Sequence, residues 1–131
     1  MAVDLDYARR VPLIRDVMST QLVVVEPDLT VAAAATVMGG RHVGAALVME
    51  ADSLVGIFTE RDVLTALGSD FDAAGHLVSQ WMSREPTTVV PDLDTREALD
   101  LMLEAGYRHL PVVEDGKVLG VVSIRDLAPR D

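Results

Sequence analysis

Gly56-Ile57-Phe58-Thr59-Glu60-Arg61-Asp62 reads as glycine, two apolar residues, a hydroxyl, any residue, arginine and aspartate. Gly120-Val121-Val122-Ser123-Ile124-Arg125-Asp126 repeats it. The offset, from Gly56 to Gly120, is 64 residues. It holds without a gap through Met18 and Met82, Ser19 and Ser83, Pro27 and Pro91, Leu29 and Leu93, Met38 and Met102, and Glu50 and Glu114. The chain is therefore one unit written twice.

Upstream of each stretch the local signals agree. In the first copy, valine-rich Gln21 to Glu26 predicts a strand and Pro27-Asp28 a turn. Thr30 then caps a helix whose buried face is Val31, Ala34, Ala35 and Met38, with Gly39-Gly40 as its stop. Ala45 to Met49 and Leu54 to Phe58 read as a strand pair joined through Glu50 to Ser53. Thr59 opens a short helix through Ala66-Leu67, ended by Gly68. In the second copy, Thr87 to Val90 is the strand, and Asp94 caps a helix in a capping box with Glu97. That helix buries Ala98, Leu101, Met102 and Ala105 and ends at Gly106. Leu110 to Val113 and Val118 to Val122 flank Asp115-Gly116, a strong hairpin signal. Ser123 opens a last helix that runs into Pro129. The organisation is a lead segment at 1–16 with an extended approach at Arg9-Arg10-Val11-Pro12, a first repeat at 17–67, a connector at 68–80 with about one helical turn, and a second repeat at 81–128.

Each repeat is β-α-β-β-α, and one copy alone has too small a core. The expected fold class is α/β, two such repeats packed with pseudo-twofold symmetry. Half of the 131 residues are apolar, which disfavours disorder. A net charge of −10 argues against nucleic acid and against anionic membrane surfaces. With no cysteine, disulfides, thiolate catalysis and cysteine-bound zinc are excluded. The acidic start lacks signal-peptide form and no apolar run spans a bilayer, so the expected location is the cytoplasm.

The pattern resembles the cystathionine β-synthase (CBS) domain family, as a stand-alone tandem pair or Bateman module. The residues that carry the resemblance are Val17-Met18-Ser19 and Trp81-Met82-Ser83 leading into each copy. With them go Val43-Gly44-Ala45-Ala46-Leu47-Val48, Tyr107-Arg108-His109-Leu110-Pro111-Val112-Val113 and the two glycine-to-aspartate stretches. The resemblance covers nearly all of 13–128. It implies a regulatory module that binds an adenosine-containing ligand (AMP, ADP, ATP, S-adenosylmethionine or NAD) in clefts between the repeats and signals to a protein target. It also implies a homodimer and no catalytic cofactor.

Carried over residue by residue, one cleft would use Thr59 and Asp62 with Ser83, Thr87, Arg108 and His109. The other would use Ser123 and Asp126 with Ser19, Val23, Gly44 and Ala45. The roles fit the chemistry. An aspartate accepts from both ribose hydroxyls, a hydroxyl at a helix start suits a phosphate, and Arg108 and His109 neutralise phosphate charge. Gly44 lets backbone approach a ring. The resemblance thus implies that phosphorylated ligands prefer the cleft with Arg108 and His109.

Plainer readings stand beside these. Thr59 to Asp62 and Ser123 to Asp126 are also capping boxes. Arg61 and Arg125 sit in first helical turns, where a bound anion or an intramolecular acid would offset the dipole. Gly56 and Gly120 mark a bulge or a tight packing point. His42 and His76 read as ordinary surface or loop histidines, the methionines as core, and Trp81 as packing at the lead-in motif or a dimer seam. No nucleophile–base pair or paired catalytic carboxylates can be assembled, so the expectation is a non-enzyme. A ligand-free dimerisation module is the alternative.

Overall fold

The computed structural model describes residues 11–127, and the readings at Arg9-Arg10 and Pro129 lie outside them. The chain forms two compact units. A continuous unit holds residues 22–86. A split unit joins residues 11–21 to residues 87–127.

In the continuous unit, β1 (Val24–Val25), β2 (Ala45–Glu50), β3 (Ser53–Thr59) and β4 (Ser83–Arg84) form one sheet in that order. β1 runs parallel to β2, and β2–β3 is an antiparallel hairpin with a register shift between Val48 and Met49. The β2 run from Ala45 to Val48 is apolar and buried throughout, as a strand covered on both faces must be. Helices α1 (Ile14–Val17), in the split unit, and α2 (Val31–Arg41) and α3 (Glu60–Ser69), in the continuous one, precede two 3-10 turns at Phe71–Gly75 and Val78–Gln80. The core of the continuous unit gathers Val23, Val25, Val31, Ala34, Met38, Ala46, Val48, Phe58, Ala66, Ala73 and Val78.

The split unit repeats the plan with α4 (Thr95–Ala105), β5 (His109–Glu114), β6 (Lys117–Ser123) and α5 (Ile124–Leu127). β5–β6 is the counterpart hairpin, shifted between Val112 and Val113. Its turn is Asp115-Gly116, both with positive φ (53° and 78°), as a type I′ turn requires. Ile14, Ala98, Met102, Leu110, Val112, Val122 and Leu127 fill the core. Arg15 pairs with Asp92 across the start of this unit.

Several elements differ from expectation. α2 does not stop at Gly39-Gly40. It continues to Arg41 and ends at His42, which takes the left-handed conformation (φ 56°) that Gly106 takes at the end of α4. Both helices thus have 11 residues, so the repeat length overrides the glycine pair. Ala105 is exposed rather than on the buried face. Asp94 caps α4 through the Arg96 N–H (2.6 Å), without the reciprocal Glu97 bond. The hydrogen bonds from Arg96 hold the Asp94 carboxyl below its usual value. α3 runs past Gly68 to Ser69, and the connector holds two short turns rather than one.

The predicted strand at Thr87 to Val90 reduces to one parallel bridge, Val89 to Val112. The cause is one residue. In the continuous unit the Leu47 N–H donates to the Val23 carbonyl (2.8 Å). Proline stands at the matching place, Pro111, and has no N–H to give. The ladder there keeps only Val89 N–H to Pro111 O (3.0 Å) and Val113 N–H to Val89 O (2.9 Å).

The two lead-in motifs exchange copies. Ser83, at the start of the second repeat, pairs with Ile57 of the first. Ser19, at the start of the first, pairs with Val121 of the second, through bonds of 2.9 and 3.0 Å.

Candidate functional site

Each glycine-to-aspartate stretch leaves a strand and enters a helix, and its hydroxyl and carboxylate meet at the junction. The Thr59 hydroxyl accepts from the Asp62 N–H (3.3 Å). The Asp62 carboxylate accepts from the Thr59 N–H (2.8 Å) and hydroxyl (3.1 Å). In the split unit the Ser123 N–H donates to the Asp126 carboxylate (2.8 Å), and the Asp126 N–H to the Ser123 hydroxyl (3.3 Å). These are capping boxes, so the plain reading of both motifs holds. It also fixes the rotamers of four polar side chains at half-buried positions. One carboxylate oxygen, Oδ2, takes the capping bonds, and among the described residues the second oxygen of each aspartate is left to accept elsewhere.

Burial lifts the Asp62 carboxyl above its ordinary value of 3.8, against the opposing pull of the Thr59 hydrogen bonds and the Arg61 charge. Among the described residues, exposed Arg61 and Arg125 form no ion pair, so the intramolecular acid weighed for them is not found.

The neighbouring strand completes each junction. In the continuous unit Ala45 pairs with Thr59, and the Glu60 N–H at the start of α3 donates to the Gly44 carbonyl (2.9 Å). In the split unit His109 pairs with Ser123, and the Ile124 N–H donates to the Arg108 carbonyl (2.8 Å). Arg108 is exposed and His109 half-buried. Thr87 donates its hydroxyl to the Tyr107 hydroxyl (3.2 Å), a link with no signal in the local pattern. Val23 lies in the hydrophobic core, 7% exposed.

The continuous unit thus brings together Thr59, Arg61, Asp62 and Ser83 with Val23, Gly44 and Ala45. The split unit brings together Ser123, Arg125, Asp126 and Ser19 with Thr87, Arg108 and His109. Neither unit alone contains a full set of the residues that resemblance sorted into one cleft.

The tight-packing reading of Gly56 and Gly120 holds, and what the sequence did not show is the partners. A Cβ on Gly56 would lie 2.6 Å from the Met82 sulfur and 2.9 Å from the Ser83 carbonyl oxygen. A Cβ on Gly120 would lie 2.8 Å from the Met18 sulfur and 2.7 Å from the Ser19 carbonyl oxygen. Tight packing is therefore the reason for both glycines, and each lead-in motif sits on the glycine of the other copy. The shared offset of Met18, Met82, Gly56 and Gly120 was the available signal.

Comparison with known proteins gives a concordant result. The family model described as "CBS domain" matches residues 14–69 and 78–129. The CBS domain-containing protein YhcV of Bacillus subtilis is 36% identical over 118 residues, covering 88% of this chain and 82% of its own. The crystal structure of the CBS-domain containing protein ATU1752 from Agrobacterium tumefaciens superposes with a TM-score of 0.84 at 29% identity, covering 89% of this chain and 91% of that one. The crystal structure of CBSX2 in complex with AMP gives a TM-score of 0.75 at 26% identity, covering 88% and 93%.

Proposed function

The chain belongs to the CBS domain family as a tandem pair, and from that premise we propose that it is a regulatory module that binds an adenosine-containing ligand and passes the event to a protein target. The observation that carries this reading is that both hydroxyl–aspartate pairs are intact and pre-ordered, each with an oxygen left over among the described residues. A solved relative of similar fold holds AMP. Asp62 and Asp126 take the ribose hydroxyls, and Thr59, Ser123, Ser83 and Ser19 line the approach. Arg108, His109, Arg61 and Arg125 supply the cationic edge for phosphate, and Thr87, Gly44, Ala45 and Val23 the walls. No chemistry is done on the ligand. It acts by binding one conformation better than another.

Thermal unfolding against AMP, ADP, ATP, NAD and S-adenosylmethionine at about 1 mM tests this. A ligand at about 100 times its dissociation constant adds about 2.7 kcal/mol. A shift of several degrees with one ligand, lost in Asp62→Ala or Asp126→Ala, supports the sensor. A flat panel moves the reading to a structural pairing module.

We also read the module as a homodimer. Leu64 and Phe71 on the continuous unit and Leu103 on the split unit are 72%, 86% and 64% exposed, which supports apolar pairing. Light scattering that finds a monomer at tens of micromolar overturns that.

A further inference from the structure

Trp81, the protein's single tryptophan, donates its indole N–H to Nδ1 of His76 at 3.3 Å. The ring centroids are 6.1 Å apart and the planes differ by 15°. An indole N–H can only donate, so the bond exists only while His76 Nδ1 carries no proton.

The pair brackets the second 3-10 turn, and the backbone between is pinned. The Val31 N–H donates to the His76 carbonyl (2.8 Å), the Val78 N–H to Leu29 O (2.8 Å) and the Ser79 N–H to Pro27 O (2.9 Å). Immediately after Trp81 the chain lays the Met82 sulfur over Gly56 and pairs Ser83 with Ile57. Trp81 is thus the anchor at the head of the lead-in motif, whose Ser83 reaches β3 at Ile57, two residues from Thr59.

The charged groups on the elements packed around His76 are few. Asp70 and Asp72 belong to the preceding turn, Glu26 and Asp28 to the turn that residues 78 and 79 bond to, and Arg84 and Glu85 follow Trp81. α2 contributes only Arg41 at its far end, and α3 Glu60, Arg61 and Asp62 at its N-terminal end. Among the described residues none of these bonds to His76. Its one side-chain partner among the described residues is Trp81.

We infer that His76 and Trp81 form a proton-operated latch on the lead-in motif of the second repeat. A proton on Nδ1 sets N–H against N–H. It releases the indole and loosens Met82 and Ser83 where they lie on β3. Histidine is the side-chain type that ordinarily changes charge between about pH 5 and 8.

The full chain, labelled with nitrogen-15, has one indole resonance to follow. On titration from pH 8 to pH 5 that proton moves upfield in a single step, and the Met82 and Ser83 amides move with the same midpoint. His76→Gln keeps a side-chain oxygen to accept the bond and does not titrate, so all three signals stay still in it. The latch is overturned by an indole signal that does not move in the wild type or moves equally in His76→Gln. It is equally overturned by Met82 and Ser83 amides that ignore the indole step. If His76→Gln does not fold, Trp81→Phe removes the donor and keeps a ring. The pH step at Met82 and Ser83 then disappears, and its persistence overturns the inference.

Discussion

The carbonyl oxygen of Ser19 lies 2.7 Å from the point where a Cβ on Gly120 would stand. Real Cβ contacts are longer, and a backbone carbonyl held in a bridge to Val121 cannot step aside cheaply. Gly120→Ala is therefore expected to destabilise by about 1–3 kcal/mol through overpacking, and Gly56→Ala by a similar amount against the Ser83 carbonyl. Urea unfolding measures both. Gly40→Ala is the control: nothing lies within 4 Å of that Cβ and the site is helical, so it should stabilise by about 0.5–1 kcal/mol. Equal effects at Gly40 and Gly120 would show that close approach is not what requires the second glycine.

Asp62→Asn separates the two roles of that side chain. The amide oxygen can still accept from the Thr59 N–H, so the fold is kept, while the charged acceptor for a ribose is lost. Titration calorimetry should show weaker AMP binding, by about tenfold for one charge-assisted bond. Unchanged affinity would remove Asp62 from the site.

The same variant carries a pH signature. Burial raises the Asp62 carboxyl above 3.8 in the folded protein. The folded state therefore holds this proton more tightly than the unfolded chain does. The group's contribution to stability is fully present below 3.8 and is lost as pH rises through the higher folded value. Asparagine has no such loss. The difference in unfolding midpoint, Asp62→Asn minus wild type, should grow as pH rises from 3 toward neutrality and then level. A difference that shrinks over that range would contradict the assigned direction.

Arg108 is exposed beside Ser123, and its carbonyl is committed to the first turn of α5 while its guanidinium has no ion pair among the described residues. Arg108→Ala should weaken AMP by about tenfold and leave adenosine unchanged. Equal losses for both ligands would mean the arginine contacts something other than phosphate.

Ala51 holds φ at 53° in the first hairpin, a conformation that costs an L-residue about 1 kcal/mol or more. The matching turn uses Asp115-Gly116. Ala51→Gly should raise stability by about 0.5–1 kcal/mol in thermal unfolding. A loss would show that the alanine methyl makes a compensating contact.

The repeat offset made most of the fold legible, because each helix cap, turn and strand pair was written twice and each copy checked the other. What stayed hidden was non-local. The α2 stop at His42 follows from matching α4, against the local preference of Gly39-Gly40. The one-bridge ladder at Val89 follows from a missing N–H at Pro111, more than twenty residues away in sequence. The hydroxyl–aspartate pairs were readable as candidates because capping and ligand contact want the same residue types. The Met82–Gly56 and His76–Trp81 contacts were not, since no local pattern ties a methionine to a glycine or a loop histidine to an indole.

The exchange of lead-in motifs means that the repeating sequence and the folding unit have different boundaries. A fragment cut after residue 67 would keep Gly56 and an open strand edge but lose Met82 and Ser83, the residues that close it. A chain carrying only one such repeat could close that edge by borrowing the motif of a second molecule. Duplication within one polypeptide would convert that trade between molecules into an internal one, and any half produced separately should seek its counterpart.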